Sequence, residues 1–217
     1  VNYTWTPSTG LNNTTINNPV ATPLVNTTYT VLVIDANGCE NSDSVTVTVY
    51  NLPIVTVTQN SAICIGGTIQ LNAGGGSNYQ WSPTSSLNDP SSSSPVANPV
   101  STTTYTVVVT NAGGCVDSAS VTITVNALPV ATVSADTTIC EGTATTLFAG
   151  GGVSYSWSPT SSLNNSTSSN PVATPTSPTT YTVVVTDING CTDDAQVNIL
   201  LNTQPISQFE VDPNLIS

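Results

Sequence analysis

The apolar positions of this chain fall mostly at every second residue. Val or Ile alternates with Thr in "PIVTVT" (53–58) and "SVTITV" (120–125), and "TTYTVVVT" (103–110) keeps the same spacing. Period 2 marks a half-buried strand, and β-branched side chains suit a pleated surface. "TIQLNA" (68–73) puts Ile69, Leu71 and Ala73 on one face, and "YQW" (79–81) puts two aromatics on one face. "AGGGSN" between them predicts a turn, and "NAGG" (111–114) predicts a Gly-rich hairpin connection. "WSPTSSLNDPSSSS" has too much Pro and Ser for more than short edge pieces, and a short strand is expected within "PVANP". No segment has helical period.

This pattern recurs. Cys39, Cys115 and Cys191 are evenly spaced (115 − 39 = 191 − 115 = 76). Tyr3, Tyr79 and Tyr155 keep that period, as do Trp5, Trp81 and Trp157, Tyr29, Tyr105 and Tyr181, and the pair Cys64 and Cys140. A fixed self-similarity of this length means an array of one small unit. Six or seven short strands per unit, with a Trp on the third, predict tandem immunoglobulin-like β-sandwiches in an all-β chain. The nine repeated aromatics are the predicted core. Val1 aligns with Ser77 and Val153, so the first unit is expected to be partial (1–51, third strand to last), followed by full units at 52–127 and 128–203. Residues 204–217 should open a further domain. The linkers "YNLP", "NALP" and "NTQP" are short and end in Pro, which predicts a semi-rigid rod.

Composition narrows the function. The 217 residues include no Lys, Arg, His or Met, and twelve Asp plus Glu give a formal charge of −12. Nucleic acid is excluded as a partner, because phosphate binding needs cations to displace counterions. Anionic membrane surfaces are disfavoured for the same reason. No apolar run approaches the ~20 residues that span a bilayer, so no membrane insertion is expected in this segment. Enzyme chemistry is not expected either: there is no His or Lys to act as a base, and no cation beside any Cys to activate it. Paired carboxylates could hydrolyse glycosides, but these acids do not recur at one place in the unit. No cofactor is expected. Cys at fixed places in a Ser/Thr/Asn-rich chain predicts an oxidising, extracellular setting.

At "YSWSPTSSLNN…NPVATP…TTYTVVVTDINGC" the sequence resembles a known family. It is similar to the Ig-like and PKD-like repeats of very large Bacteroidota cell-surface proteins exported by type IX secretion, gliding-type adhesins among them. The resemblance covers nearly the whole chain. It implies a PKD-type domain beginning at "QPISQFEVDPNLIS" (204–217), where Ile216 takes the Cys64/Cys140 position. It also implies O-glycosylation at Asp-(Ser/Thr)-small triplets, matched here at Ser44, Ser118 and Thr137. The Asn-x-(Ser/Thr) matches at Asn2, Asn12, Asn13, Asn26, Asn164 and Asn165 would matter only in a eukaryotic secretory host, against which the resemblance speaks.

Two cysteine pairings compete. Within units, Cys64 would join Cys115 and Cys140 would join Cys191. That order matches antibody domains. In the alternative, Cys64 joins Cys191 across two units, Cys140 reaches a downstream domain, and Cys39 and Cys115 reach upstream repeats. Topology favours the second: a Cys between the first two strands and a Cys at the last hairpin lie at opposite ends of a sandwich. A strand of ~7 residues separates those ends by ~23 Å, against the ~4.4–6.8 Å between Cα atoms that a disulfide accepts. The PKD-type domains of the resembled family often carry only the hairpin Cys, which fits Ile216. Metal ligation of the cysteines is disfavoured by the lack of His and of any Cys-x-x-Cys.

"DINGCTDD" has part of a calcium-loop pattern, with Asp187, Asn189, Asp193 and Asp194 as weak candidates and Asp35, Asn37 and Glu40 around the first hairpin. The middle copy, "NAGGCVD", has lost most of these oxygens, so a turn is the better reading. Thr-x-Thr rows suit ice binding only on a flat face, and sandwich strands twist. The function expected from the whole is an extracellular stalk or fibre. Its partners would be neighbouring repeats, identical chains in a fibre, and attached glycans. The alternative is a carbohydrate- or surface-binding adhesin using loops such as "SPTSSLNNSTSSN" (158–170).

Overall fold

The computed structural model describes residues 1–203, and these are strands, turns and loops without a helix. The expectations for residues 204–217, including Ile216, lie outside the described residues. The first sheet has the order Asn2–Thr6, Thr27–Ile34, Glu40–Val47, all antiparallel. In the second unit, Ser61–Cys64, Val116–Asn126, Thr103–Thr110 and Asn78–Ser82 lie side by side in that order. A thinner layer faces them: Thr56–Val57 pairs with Ala73–Gly74, and Ile69–Gln70 with Val96–Ala97. The third unit repeats this plan. Thr137–Cys140, Thr192–Asn202, Thr179–Thr186 and Ser154–Ser158 form its four-stranded sheet, with Thr132–Val133 on Ala149–Gly150 and Thr145–Thr146 on Val172–Ala173.

Strand alternation places the cores. Along Thr103–Thr110, Tyr105, Val107 and Val109 are buried while Thr104 and Val108 face out. They pack with Leu71, Trp81, Ala97, Val121 and Ile123 into one core, and Leu147, Trp157, Ala173, Tyr181, Val183, Val185, Val197 and Ile199 form the other. Each Trp also carries a polar handle. Trp5, Trp81 and Trp157 donate their indole N–H to the backbone oxygens of Ile16, Ser92 and Ser168, at 2.9, 3.0 and 3.0 Å. A buried indole N–H needs a partner, and here it pins the Pro/Ser-rich loop that follows the strand. Outside the cores, hydroxyl pairs bridge the two longest strands at Thr28–Thr46, Thr104–Thr122 and Thr106–Ser120, each 2.8 Å. Cross-strand pairs of this kind contribute about 0.2–1 kcal/mol each.

Four expectations need correction. The first strand is shorter than 53–58: only Thr56–Val57 pairs in the facing layer, and the chain then crosses to the other sheet. Cys64 therefore ends a strand, Ser61–Cys64, that runs parallel to Val116–Asn126, rather than lying in a loop. The segment 68–73 is split into Ile69–Gln70 and Ala73–Gly74, and Leu71 between them donates its N–H to the Pro95 oxygen. Of the predicted core, Tyr29, Trp81, Tyr105, Trp157 and Tyr181 are buried, whereas Tyr3, Trp5, Tyr79 and Tyr155 are half-buried. Tyr79 and Tyr155 lie on the sheet's outer strand and turn their hydroxyls to the Gly76 and Gly152 oxygens, at 2.8 and 3.0 Å. Tyr3 and Trp5 belong to a sheet that, among the described residues, has no facing layer of paired strands.

The fully buried tyrosines hold a repeated bond. The hydroxyl of Tyr105 meets that of Ser86, and Tyr181 meets Ser162. Backbone takes the place of that serine only in the first unit. There Gly10 stands where Ser86 and Ser162 stand, and Tyr29 donates to the Thr9 oxygen at 2.8 Å. Gly75 and Gly151, at φ of 109° and 103°, have no room for a side chain, since a Cβ would strike the Ile54 or Val130 oxygen. The Gly run thus lets the turn pass against the first strand.

Removing the Tyr105 ring deletes a buried aromatic, so Tyr105→Ala should cost about 3–5 kcal/mol in urea unfolding. Tyr105→Phe leaves only the Ser86 hydroxyl without its partner, which should cost about 1 kcal/mol. A loss below about 1 kcal/mol for the Ala variant would place the ring outside the core.

Candidate functional site

The most distinctive local geometry lies where one unit meets the next. Cys64 is opposite Asn126 in the parallel register, at the end of the sandwich from which residues 126–129 lead on. Cys191 closes the hairpin between Thr179–Thr186 and Thr192–Asn202. The Asp187 carboxylate shapes that hairpin by accepting the N–H groups of Asn189 and Cys191, both at 2.8 Å, and Gly190 turns at φ 81°. The two cysteines form a disulfide with Cα atoms 5.6 Å apart, across a sequence separation of 127. That distance is ordinary for a disulfide. Cys191 is buried at 1% exposure. Because Cys64 is joined to Cys191, the within-unit pairs Cys64–Cys115 and Cys140–Cys191 do not form. The reason is the topology: Cys64 and the hairpin of its own unit sit at opposite ends of the sheet.

Cys39, Cys115 and Cys140 carry free thiols. Cys140 stands opposite Asn202 in the same parallel register that sets Cys64 opposite Asn126. Cys115 occupies the matching hairpin one unit earlier, shaped by Asn111, whose side-chain oxygen accepts the Gly113 and Cys115 N–H groups at 3.0 Å. This hairpin packs on the first linker. Asn111 donates its amide to the Asn51 oxygen at 2.7 Å, and the Cys115 thiol meets the Tyr50 oxygen at 3.6 Å. The Tyr50 ring lies on Gly113, where a Cβ would collide with it. Sequence reasoning missed this contact. Its signal is visible in the alignment of units, where Tyr50 replaces the Asn of positions 126 and 202 while Gly113 replaces the Asn of positions 37 and 189.

The calcium candidates are not assembled into a cage. Asp187 serves its own turn, Asp193 accepts the Ala131 N–H at 2.9 Å, and Asp194 follows Asp193 on a strand whose side chains alternate in face. Around the first hairpin, Asp35 accepts the N–H groups of Asn37 and Cys39, and Glu40 begins the next strand. Among the described residues no group of three or more acidic or Cys side chains is placed to hold a metal ion. The glycosylation candidates Ser44, Ser118 and Thr137 are all exposed on strands. Among the described residues no helix is long and apolar enough to cross a membrane.

No known protein family and no curated protein matches the sequence. Among solved structures, the I67–I69 fragment from the titin I-band is similar over 92% of this chain and 87% of its own, at 14% identity and a TM-score of 0.50. Immunoglobulin domains 1–5 of Sidekick-1 align over 93% of this chain and 52% of theirs (12% identity, TM-score 0.37). The insect immune protein hemolin aligns over 92% and 67% (15%, 0.37). The titin likeness shows the fold: this is an immunoglobulin-like β-sandwich protein.

Two measurements test the joint. Digestion without reduction, with a protease that cuts after acidic residues, should give a peptide joining Cys64 to Cys191 by mass spectrometry. A Cys64–Cys115 peptide would overturn the assignment. The second concerns Asp187. Partial burial raises its pKa, but hydrogen bonds from Cys191, Asn189 and Gly190 outweigh that and hold it below the ordinary aspartate value. Hydrogen bonds from Asn198 do the same for Asp136, and those from Ser91 and Ser92 for Asp89. A lowered folded-state pKa gives stability that is present above the unfolded-state pKa and lost as pH falls through the folded one. The urea midpoint should therefore drop as pH is taken below the ordinary aspartate range, and Asp187→Asn should remove part of that drop. An unchanged acid-side profile in the variant would show that the carboxylate charge does not matter to the hairpin.

Proposed function

We propose that this chain is a structural segment of an extracellular bacterial stalk or fibre, built from Ig-like units at 52–127 and 128–203 and a partial unit at 1–51. The observation that carries the reading is the covalent bond between units, Cys64 to Cys191, placed beside the linker rather than inside a core. A bond that ties one repeat to the next beside their linker restricts the angle between them, as a stalk requires. A disulfide-bonded Ig-like chain also fits an oxidising, extracellular location. The resemblance to Bacteroidota repeats supports a cell-surface protein exported by type IX secretion, with Ser44, Ser118 and Thr137 as glycan acceptors. In this reading the free thiols continue the series: Cys115 and Cys39 take partners from upstream repeats, and Cys140 takes one from the domain expected after residue 203. The proposal includes no catalytic role.

The adhesin alternative puts carbohydrate on the loops. The 158–170 loop is tied down internally instead, through Trp157 and Ser168, Tyr181 and Ser162, and Asn165 and Thr167.

Small-angle scattering of the 217-residue chain should show an elongated particle, and negative-stain images of the native protein should show long thin fibres. A compact particle with units folded onto each other would refute the stalk reading.

A further inference from the structure

The disulfide changes which parts of the chain carry tension. Cys64 and Cys191 are 127 residues apart along the chain but only 5.6 Å apart in space. A pull on the two ends reaches Cys64 through residues 52–63, crosses the sulfur–sulfur bond, and leaves through residues 192–203. Much of this route is already extended strand: Thr56–Val57 and Ser61–Cys64 before the bond, and Thr192–Asn202 after it. Thr192–Asn202 is one continuous strand of 11 residues. At the strand rise of about 3.3 Å per residue it is close to the greatest length a chain can reach, so pulling gains almost nothing there. It is also held on both sides, by Thr179–Thr186 and by Thr137–Cys140. Ser61–Cys64 is strand too, bonded in parallel to the end of Val116–Asn126.

What lies off the route is most of both sandwiches. Leu71, Trp81, Tyr105 and Val107 of one core, and Leu147, Trp157, Tyr181 and Val183 of the other, all fall between Cys64 and Cys191 in sequence. The linker 126–129 is bypassed as well.

We propose that the Cys64–Cys191 bond is a mechanical bypass that carries tension from one unit to the next. Tension runs mainly along extended strands and one disulfide, and residues 65–190, with most of both cores, lie outside the path; of the buried core residues Val197 and Ile199 lie on it, on the strand Thr192–Asn202. This deepens the stalk reading and rests on it for its biological purpose, but the mechanics depend only on the connectivity. A dithiol reductant breaks the bond by giving up two electrons and two protons, leaving two thiols on the chain and a disulfide on the reductant. The enclosed loop then joins the path.

Single-molecule force spectroscopy on the 217-residue chain, tethered at its termini, tests this. Without reductant the stretched length should fall short of the full chain by the enclosed loop, roughly 430 Å at about 3.4 Å per residue. The two sandwich-unfolding steps should also be missing. Dithiothreitol, or Cys64→Ser, should restore that length. Cys115→Ser, which leaves the bond intact, should keep the shortfall. Full extension of the unreduced protein would overturn the bypass whatever the particle's shape, as would a shortfall that survives Cys64→Ser. A compact native particle that still shows the shortfall would sink the stalk reading and leave the bypass standing.

Discussion

The parallel pairing of Ser61–Cys64 with the end of Val116–Asn126 determines what the joint between units can be. The chain starts each full unit in the thin layer and then crosses to the thick one, at Asn60 in one unit and Asp136 in the next. Their side chains accept the N–H groups of Thr122 and Asn198, both at 2.8 Å. After crossing, the strand runs in the same direction as the last strand, so both arrive at the end of the sandwich from which the linker leaves. An antiparallel course would have carried Cys64 to the far end, beside the hairpin of its own unit. Its actual course leaves the next unit's hairpin as its neighbour.

That joint operates in a protein without cationic side chains. No Lys, Arg or His exists, so the acids cannot be neutralised by side-chain ion pairs. They act instead as backbone acceptors in turns and strand crossings: Asp35 and Asp187 in hairpins, Asp89 in a loop, Asp136 at a crossing. Such bonds to a charged acceptor are stronger than neutral ones. A formal charge of −12 repels itself, and that repulsion favours units strung out over units folded together. A small unit also has a marginal core. A covalent bond at the joint is insensitive to salt and to the charge state of these acids, which suits it to hold what electrostatics would push apart.

The repeat and the long strands were legible because they are local. Alternation in "TTYTVVVT" places Tyr105, Val107 and Val109 inward whatever the partner strand. The joint was legible in part, since the argument from opposite ends of a sandwich needs only strand order. Three features were not readable. The crossing of the first strand depends on a pairing more than 60 residues distant, and nothing in "PIVTVT" marks where it stops. The Ser86 and Ser162 partners of the buried tyrosines lie in a stretch so rich in Ser that none stands out. Tyr79 and Tyr155 are half-buried on the same strands that bury Trp81 and Trp157, a difference along one strand that a repeat spacing does not encode.

The constancy of the 76-residue spacing follows from the same joint. A hairpin must reach the linker of the preceding unit to within hydrogen-bond distance, as Asn111 does at Asn51. One inserted residue in the flanking strands would turn every side chain to the opposite face and move the hairpin cysteine by about 3.3 Å, out of bridging range. Substitution is tolerated where insertion is not. Tyr50 over Gly113 fills one joint with a ring against bare backbone, while the second joint has Asn at both matching positions, 126 and 189. The two positions change together because a Cβ at Gly113 and a ring at Tyr50 cannot occupy the same space. One pair of side chains at the joint is thus exchanged in compensation while the 76-residue spacing stays the same, as a hairpin that must reach the preceding linker requires.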